Sequence, residues 1–249
     1  MSGRHPDPLP ASEQLPRQRK KLGVIGGMGP AATALFYELL TSLAGVKTDQ
    51  EHPEAFILSR PSIPNRTDYI LGKSPEDPVP PIIETGRMLV SLGVDYIAIP
   101  CVTSHFFYDR LTQGISAPII NMVRETANRL ALQGVNRAGV LATDGTVRSG
   151  LFSSELDAAG IQAVYPSTRK QSLIMEIIYD RIKAGAQFDF GEFMSAAREL
   201  RDNGAQCLIL ACTELSLIKR NFGLADGYID ALEVLALRSL ELCGVRDTP

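Results

Sequence analysis

No stretch of this 249-residue chain stays apolar for the roughly 18–20 residues that a membrane span needs, so no membrane partner is expected. Met1 to Lys21 is rich in Pro, Arg and Gln and has no hydrophobic h-region. That composition speaks against a secretory signal and predicts a disordered tail over residues 1–21, with order beginning near Leu22. There is no Cys-x-x-Cys pair, and the three histidines, His5, His52 and His105, are scattered. The ligand spacings of structural zinc are therefore missing, and no metal is expected. There is no excess of positive charge: the formal net charge is −3, which excludes an electrostatic reason for binding nucleic acid. The four cysteines, Cys101, Cys207, Cys212 and Cys243, come without a secretion signal. A reducing, cytoplasmic compartment with free thiols follows as the expectation.

What the chain does have is alternation. "KLGVIGG" is a short apolar run stopped by glycines, and "PAATALFYELLTSLA" has proline at its first helical position and apolar residues at helical spacing. "EAFILS" reads as a strand, followed by a long loop from Arg60 to Pro80. "PIIETGRMLVSLG" then gives a helix, "DYIAIP" a strand and "SHFFYDRL" a helix start. The pattern resumes with the strand "AGVLAT", one helix over "GTVRSGLFSSELDAAG", the strand "IQAVYP", the helices "SLIMEIIYDRIKAG" and "GEFMSAARELRDNG", the strand "AQCLILA" and a closing helix "ALEVLALRSLELCG". Alternating strands and helices with short connections predict an α/β fold built on mainly parallel sheets flanked by helices. Ligands in such folds bind beyond the carboxyl ends of the strands.

The two halves repeat one another. "GRMLVSLGVDYIAIPCVT" (86–103) and "ARELRDNGAQCLILACTE" (197–214) both read helix, glycine, small residue, apolar strand, cysteine, then a hydroxyl or acidic residue. Aligning Cys101 with Cys212 also brings Gly23 in "LGVIGGMG" close to register with Gly139 in "AGVLATDG". Two related, pseudo-symmetric Rossmann-like lobes are expected, with the site in the cleft between them and one cysteine from each. The expected boundaries are 22–120 plus 226–249 for the first lobe and 121–225 for the second.

A pair of thiols in mirrored positions suits inversion of a carbon that bears an acidic hydrogen. One thiolate removes the proton from one face, and the other thiol returns a proton to the opposite face. Cys101 and Cys212 each stand where a strand ends and a helix begins, so the helix dipole is expected to favour the thiolate at both. Thr103, Thr213 and Glu214 are near enough in sequence to bond a thiol or a substrate. Cys207 and Cys243 sit within apolar patterns and read as small buried hydrophobes.

At these residues the sequence resembles the aspartate racemase branch of the cofactor-independent Asp/Glu/hydantoin racemase superfamily. "GVIGGMGPAAT", "DQEHP", "IPNRTDYILGK", "PCVTSH", "LATDGT", "IYDRIKAG" and "ACTELS" resemble family stretches and occur in the family's order. The resemblance implies catalytic Cys101 and Cys212, no pyridoxal phosphate or other cofactor, and a homodimer. It places Arg66 and Lys183 on substrate carboxylates, which suits a dicarboxylic amino acid, aspartate or glutamate. It also places Met28, Val102, Thr103, Thr143, Thr213 and Glu214 at the substrate. Val102 departs from the family's asparagine and cannot offer that amide's hydrogen bonds. A different substrate (another amino acid, a hydantoin or a related acid), or a weak ligand-binding homologue, is the alternative reading.

Gly27-Met28-Gly29-Pro30-Ala31-Ala32 also spells the dinucleotide fingerprint, but Pro30 removes a backbone N–H where a pyrophosphate would need one.

Overall fold

The computed structural model describes residues 19–224 and 226–247. Most of the expected tail lies outside that range, but Arg19 to Lys21 are held in place. The Lys20 amide donates to the Cys243 carbonyl at 3.2 Å, its ammonium pairs with Asp95 at 3.0 Å, and the Lys21 amide donates to the same carboxylate at 2.8 Å. Order therefore begins before Leu22, because Asp95 anchors the approach to the first strand.

The first half opens with β1 (Leu22–Gly26), α1 (Pro30–Ser42) and β2 (Ala55–Ser59). A short helix α2 (Arg66–Ile70) interrupts the expected long loop, nucleated by the Asn65 side chain, which accepts from the amides of Thr67 and Asp68. Then come α3 (Val79–Ser91), β3 (Tyr96–Ala98), a six-residue 3₁₀ segment Val102–Phe107, α4 (Tyr108–Gly114) and α5 (Met122–Leu132).

The second half comprises β4 (Arg137–Leu141), α6 (Asp144–Arg148), α7 (Leu151–Ala158), β5 (Gln162–Val164), α8 (Thr168–Glu176), α9 (Phe190–Asp202), β6 (Cys207–Leu210), α10 (Thr213–Phe222), β7 (Tyr228–Asp230) and α11 (Ala231–Leu242). The single helix expected after β4 is two. Gly150 breaks it by adopting the left-handed conformation at φ 65°, which glycine tolerates without a side-chain clash. A π-helical turn, Ile177–Lys183, continues α8.

The strands form two all-parallel sheets, β2-β1-β3 and β5-β4-β6-β7. The order and register carry the duplication. Gly23 of β1 pairs with Ile97 of β3, and Gly139 of β4 pairs with Leu208 of β6. The sequence boundaries put residues 226–249 with the first lobe. β7 instead extends the second sheet beside β6, and α11 packs on α1 from the first half and on α5.

Strand residues alternate between cores, as a pleat requires. Val24, Ala98, Val140 and Ile209 enter one shared core with residues of α1, α5, α7 and α11. Ile25 and Ile97 face a second cluster under α3 and α4, while Leu141, Leu208 and Leu210 face a third under α8 and α9. The shared core joins the two sheets, so the carboxyl ends of β3 and β6 hold a fixed relation to each other.

Candidate active site

Cys101 follows β3 and Cys212 follows β6, each in extended backbone and each at the N-cap of the next helical segment. Their side chains line one small pocket together with Met28, Arg66, Val102, Thr103, Thr143, Lys183, Thr213 and Glu214. All ten sequence-derived candidates therefore meet at one place. Three further residues line it: Asn65, Thr67 and Tyr179. Asn65 fell inside the stretch read as a long loop, although asparagine is a favoured helix N-cap. Tyr179 stands one helical turn from Lys183, so helical spacing puts both on one face. Thr67 carried no such signal.

The two thiols sit in unlike settings. The Cys212 thiol donates to Glu214 Oε2 at 3.0 Å, and the other oxygen of that carboxylate accepts from the Lys183 ammonium. Glu214 is buried in the first turn of α10, where the helix N-terminus favours a negative charge. Gly29, at the N-cap of α1, allows this pair its close approach: a Cβ there would stand 3.1 Å from Glu214 Oε1 and 3.5 Å from Lys183 Nζ.

Burial raises the Cys212 thiol well above its ordinary range, and the Glu214 carboxylate adds to the rise. The expectation that a helix N-terminus would favour the thiolate is thus overturned at Cys212. Desolvation and a neighbouring negative charge outweigh the dipole. Burial pulls Lys183 downward, but the Glu214 carboxylate more than offsets it and the ammonium is held above its usual range. Burial also raises the Tyr179 phenol, which stays neutral.

On the first half, His105 Nδ1 lies 3.0 Å from the Cys101 carbonyl, and its Nε2 lies 3.3 Å from both the Ile120 carbonyl and the Met122 amide. Burial lowers its pKa and keeps it neutral. It fixes the backbone of Cys101 and is not a base for the pocket. Val102 is 2% exposed and packs into the shared core, so its methyls replace an amide's polarity with apolar contact.

Between the two sides lies a buried hydroxyl cluster. Thr103 is 3.2 Å from Thr143 and 3.1 Å from Thr146, and Thr67 is 3.4 Å from Thr143. Thr143 also caps α6 through the Thr146 amide. Hydroxyls can donate or accept, so this cluster can meet either pole of an amino acid.

Of the two cations lining the pocket, Arg66 has no acid partner among the described residues. Its guanidinium donates to the carbonyls of Ile63, Pro64 and Met28 at 3.2, 2.8 and 3.0 Å, and its buried Nε has no partner. Its charge is met by carbonyl dipoles and by no acid, which leaves it able to balance a carboxylate at the pocket.

No group of three or more metal-ligating side chains occurs among the described residues, and no helix among them is long and apolar enough to cross a membrane.

Comparison with known proteins bears on the family and the fold. The broad specificity amino-acid racemase RacX of Bacillus subtilis is 26% identical over 219 residues, covering 86% of this chain and 94% of RacX. The Picrophilus torridus aspartate racemase superposes with a TM-score of 0.77 at 30% identity, over 90% of this chain and 94% of that one. The glutamate racemase of Francisella tularensis, solved with D-glutamate, shares the fold at a TM-score of 0.66 and 18% identity, over 93% of this chain and 84% of that one. Residues 25–236 match the family described as Asp/Glu/Hydantoin racemase, and the chain belongs to that family.

Proposed function

We propose that the protein is an amino-acid racemase that works without pyridoxal phosphate, with Cys101 and Cys212 exchanging the Cα proton on opposite faces of the substrate. The observation that carries this reading is the meeting of two duplicated strand-end cysteines in one pocket, beside a cation that no acid engages.

In this scheme the α-carboxylate binds Arg66, whose planar fork suits it, and the threonine hydroxyls orient the amino acid. One thiolate takes the Cα proton while the other thiol delivers its own to the opposite face. In the free enzyme Cys212, raised by burial and by Glu214, is a thiol. The Cα–H bond is weakly acidic, so the barrier must fall through water exclusion and through charges placed where the carbanion's charge develops. The reading includes a homodimer in the cytosol. The dimer rests on the family resemblance and the cytosol on the reading of the sequence; light scattering on the purified protein tests the dimer.

The test is proton NMR in D2O without added cofactor. Loss of the Cα–H signal together with appearance of the opposite enantiomer is the expected result. Folded, reduced protein that exchanges no amino acid would refute the reading.

A further inference from the structure

The racemase reading leaves the substrate's side chain open, and the charges and walls around the thiols bear on it. The thiol pocket offers only about 20 Å³, space for about one water. Most of a bound amino acid, its side chain included, must therefore lie beyond this space.

An adjoining cavity of about 570 Å³ shares Met28, Asn65, Arg66, Tyr179, Lys183 and Glu214 with the thiol pocket. Its remaining walls are glycine and apolar residues, chiefly Pro30, Ala31, Pro61, Ile63, Ile182 and Leu217. No ionisable side chain stands on those outer walls.

The charge count points the same way. Apart from the thiols and the neutral Tyr179 phenol, the ionisable groups lining the two spaces are Arg66, Lys183 and Glu214. Glu214 already holds Lys183, so a second carboxylate would compete with a buried acid for that ammonium. The chemistry also needs one thiolate. Arg66 and Lys183 then balance Glu214 and the thiolate. A zwitterionic amino acid with an uncharged side chain adds no net charge. Aspartate or glutamate would bring one uncompensated negative charge into a confined pocket, which is unfavourable.

We infer that the preferred substrates are α-amino acids with uncharged, apolar side chains of about leucine or methionine size. The α-carboxylate sits on Arg66 and the side chain lies in the outer cavity. The Lys183–Glu214 pair discriminates against dicarboxylates. Lys183 keeps N–H donors beyond the one on Glu214, but a second carboxylate there would share a single positive charge with a buried acid.

This inference rests on the racemase reading, and a kinetic panel separates their failures. L-methionine, L-leucine, L-aspartate and L-glutamate are each followed by Cα–H exchange in D2O and by chiral chromatography. The expected result is a kcat/KM for methionine or leucine at least tenfold above that for either acidic amino acid. A kcat/KM for aspartate or glutamate equal to or above that of the neutral pair overturns the specificity inference and leaves the racemase standing. No exchange with any substrate overturns both.

Leu217→Lys sharpens the test, because it adds a cation to the outer wall without touching the thiol pocket. The aspartate-to-methionine ratio of kcat/KM is expected to rise about tenfold. An unchanged ratio in folded protein would remove the side chain from this cavity and overturn the assignment.

Discussion

The Cys101 side and the Cys212 side are copies in topology and opposites in electrostatics. Cys101 is followed by Val102, sunk in the shared core, and by Thr103, which joins a cluster of hydroxyls. His105, which contacts its backbone carbonyl, is kept neutral by desolvation. Cys212 is followed by Thr213 and then Glu214, a buried carboxylate that accepts from the thiol and holds Lys183. The contrast extends beyond the pocket. Among the described residues the buried carboxylates are Glu214 and Asp230, both in the second half. Duplication supplied two equivalent positions for a thiol, and divergence gave them different surroundings, with a buried carboxylate beside Cys212. A reaction that needs one base and one acid at the start of each turnover uses that difference.

The largest expected effect comes from breaking the symmetry at the thiols. Cys101→Ser and Cys212→Ser should each lower racemisation at least a thousandfold, within the range for removal of a general acid or base. Chiral chromatography measures this, and a fully active single mutant would remove the two-thiol scheme.

The charged half can also be tested through stability. Burial raises Asp230 to about 6, against roughly 3.9 in an unfolded chain. The folded state therefore holds this proton more tightly than the unfolded state does. Stability is lost as pH rises from about 4 through 6, and above that the ionised group costs about 3 kcal/mol at most. Asp230 accepts from Ser216 and caps α11 through the Leu232 amide. Asparagine keeps both acceptor roles without the charge. Asp230→Asn should raise the melting temperature at pH 8 and leave it unchanged at pH 4.

On the neutral side, Arg66→Lys should raise KM roughly tenfold or more with a smaller change in kcat. It replaces a two-pronged donor by a point charge at a carboxylate site. Steady-state kinetics provide the check, and an unchanged KM would move the carboxylate elsewhere.

The smallest effect concerns the thiol itself. Glu214→Gln removes the negative charge that helps raise Cys212. The thiolate fraction at pH 8 should increase. Faster alkylation of Cys212 by iodoacetamide, read by mass spectrometry, is the expected signal. A slower reaction would reverse the assigned role of Glu214.

The skeleton of this site was legible because it rests on strong local signals. Two apolar strands, each preceded by glycine and ended by cysteine, reveal the duplication, and parallel topology brings their ends together. The features that were not legible depend on weaker or non-local causes. β7 has three residues, too few for a period to show. The division between α6 and α7 turns on one glycine inside an otherwise helical pattern. The π turn that carries Tyr179 and Lys183 keeps the composition of an ordinary helix. The raised Cys212 thiol depends on where the Glu214 carboxylate points and on burial from both halves, which no linear spacing records.

The most direct test of two thiols on opposite faces is isotope partitioning during early turnover in D2O. Protiated methionine, or whichever amino acid of the panel reacts fastest, is converted to a few per cent and both enantiomers are analysed for deuterium at Cα. With separate groups on the two faces, the product enantiomer carries deuterium while the remaining substrate keeps its protium. Deuterium entering the remaining substrate as fast as product forms would mean that a single group serves both faces, and would contradict the account.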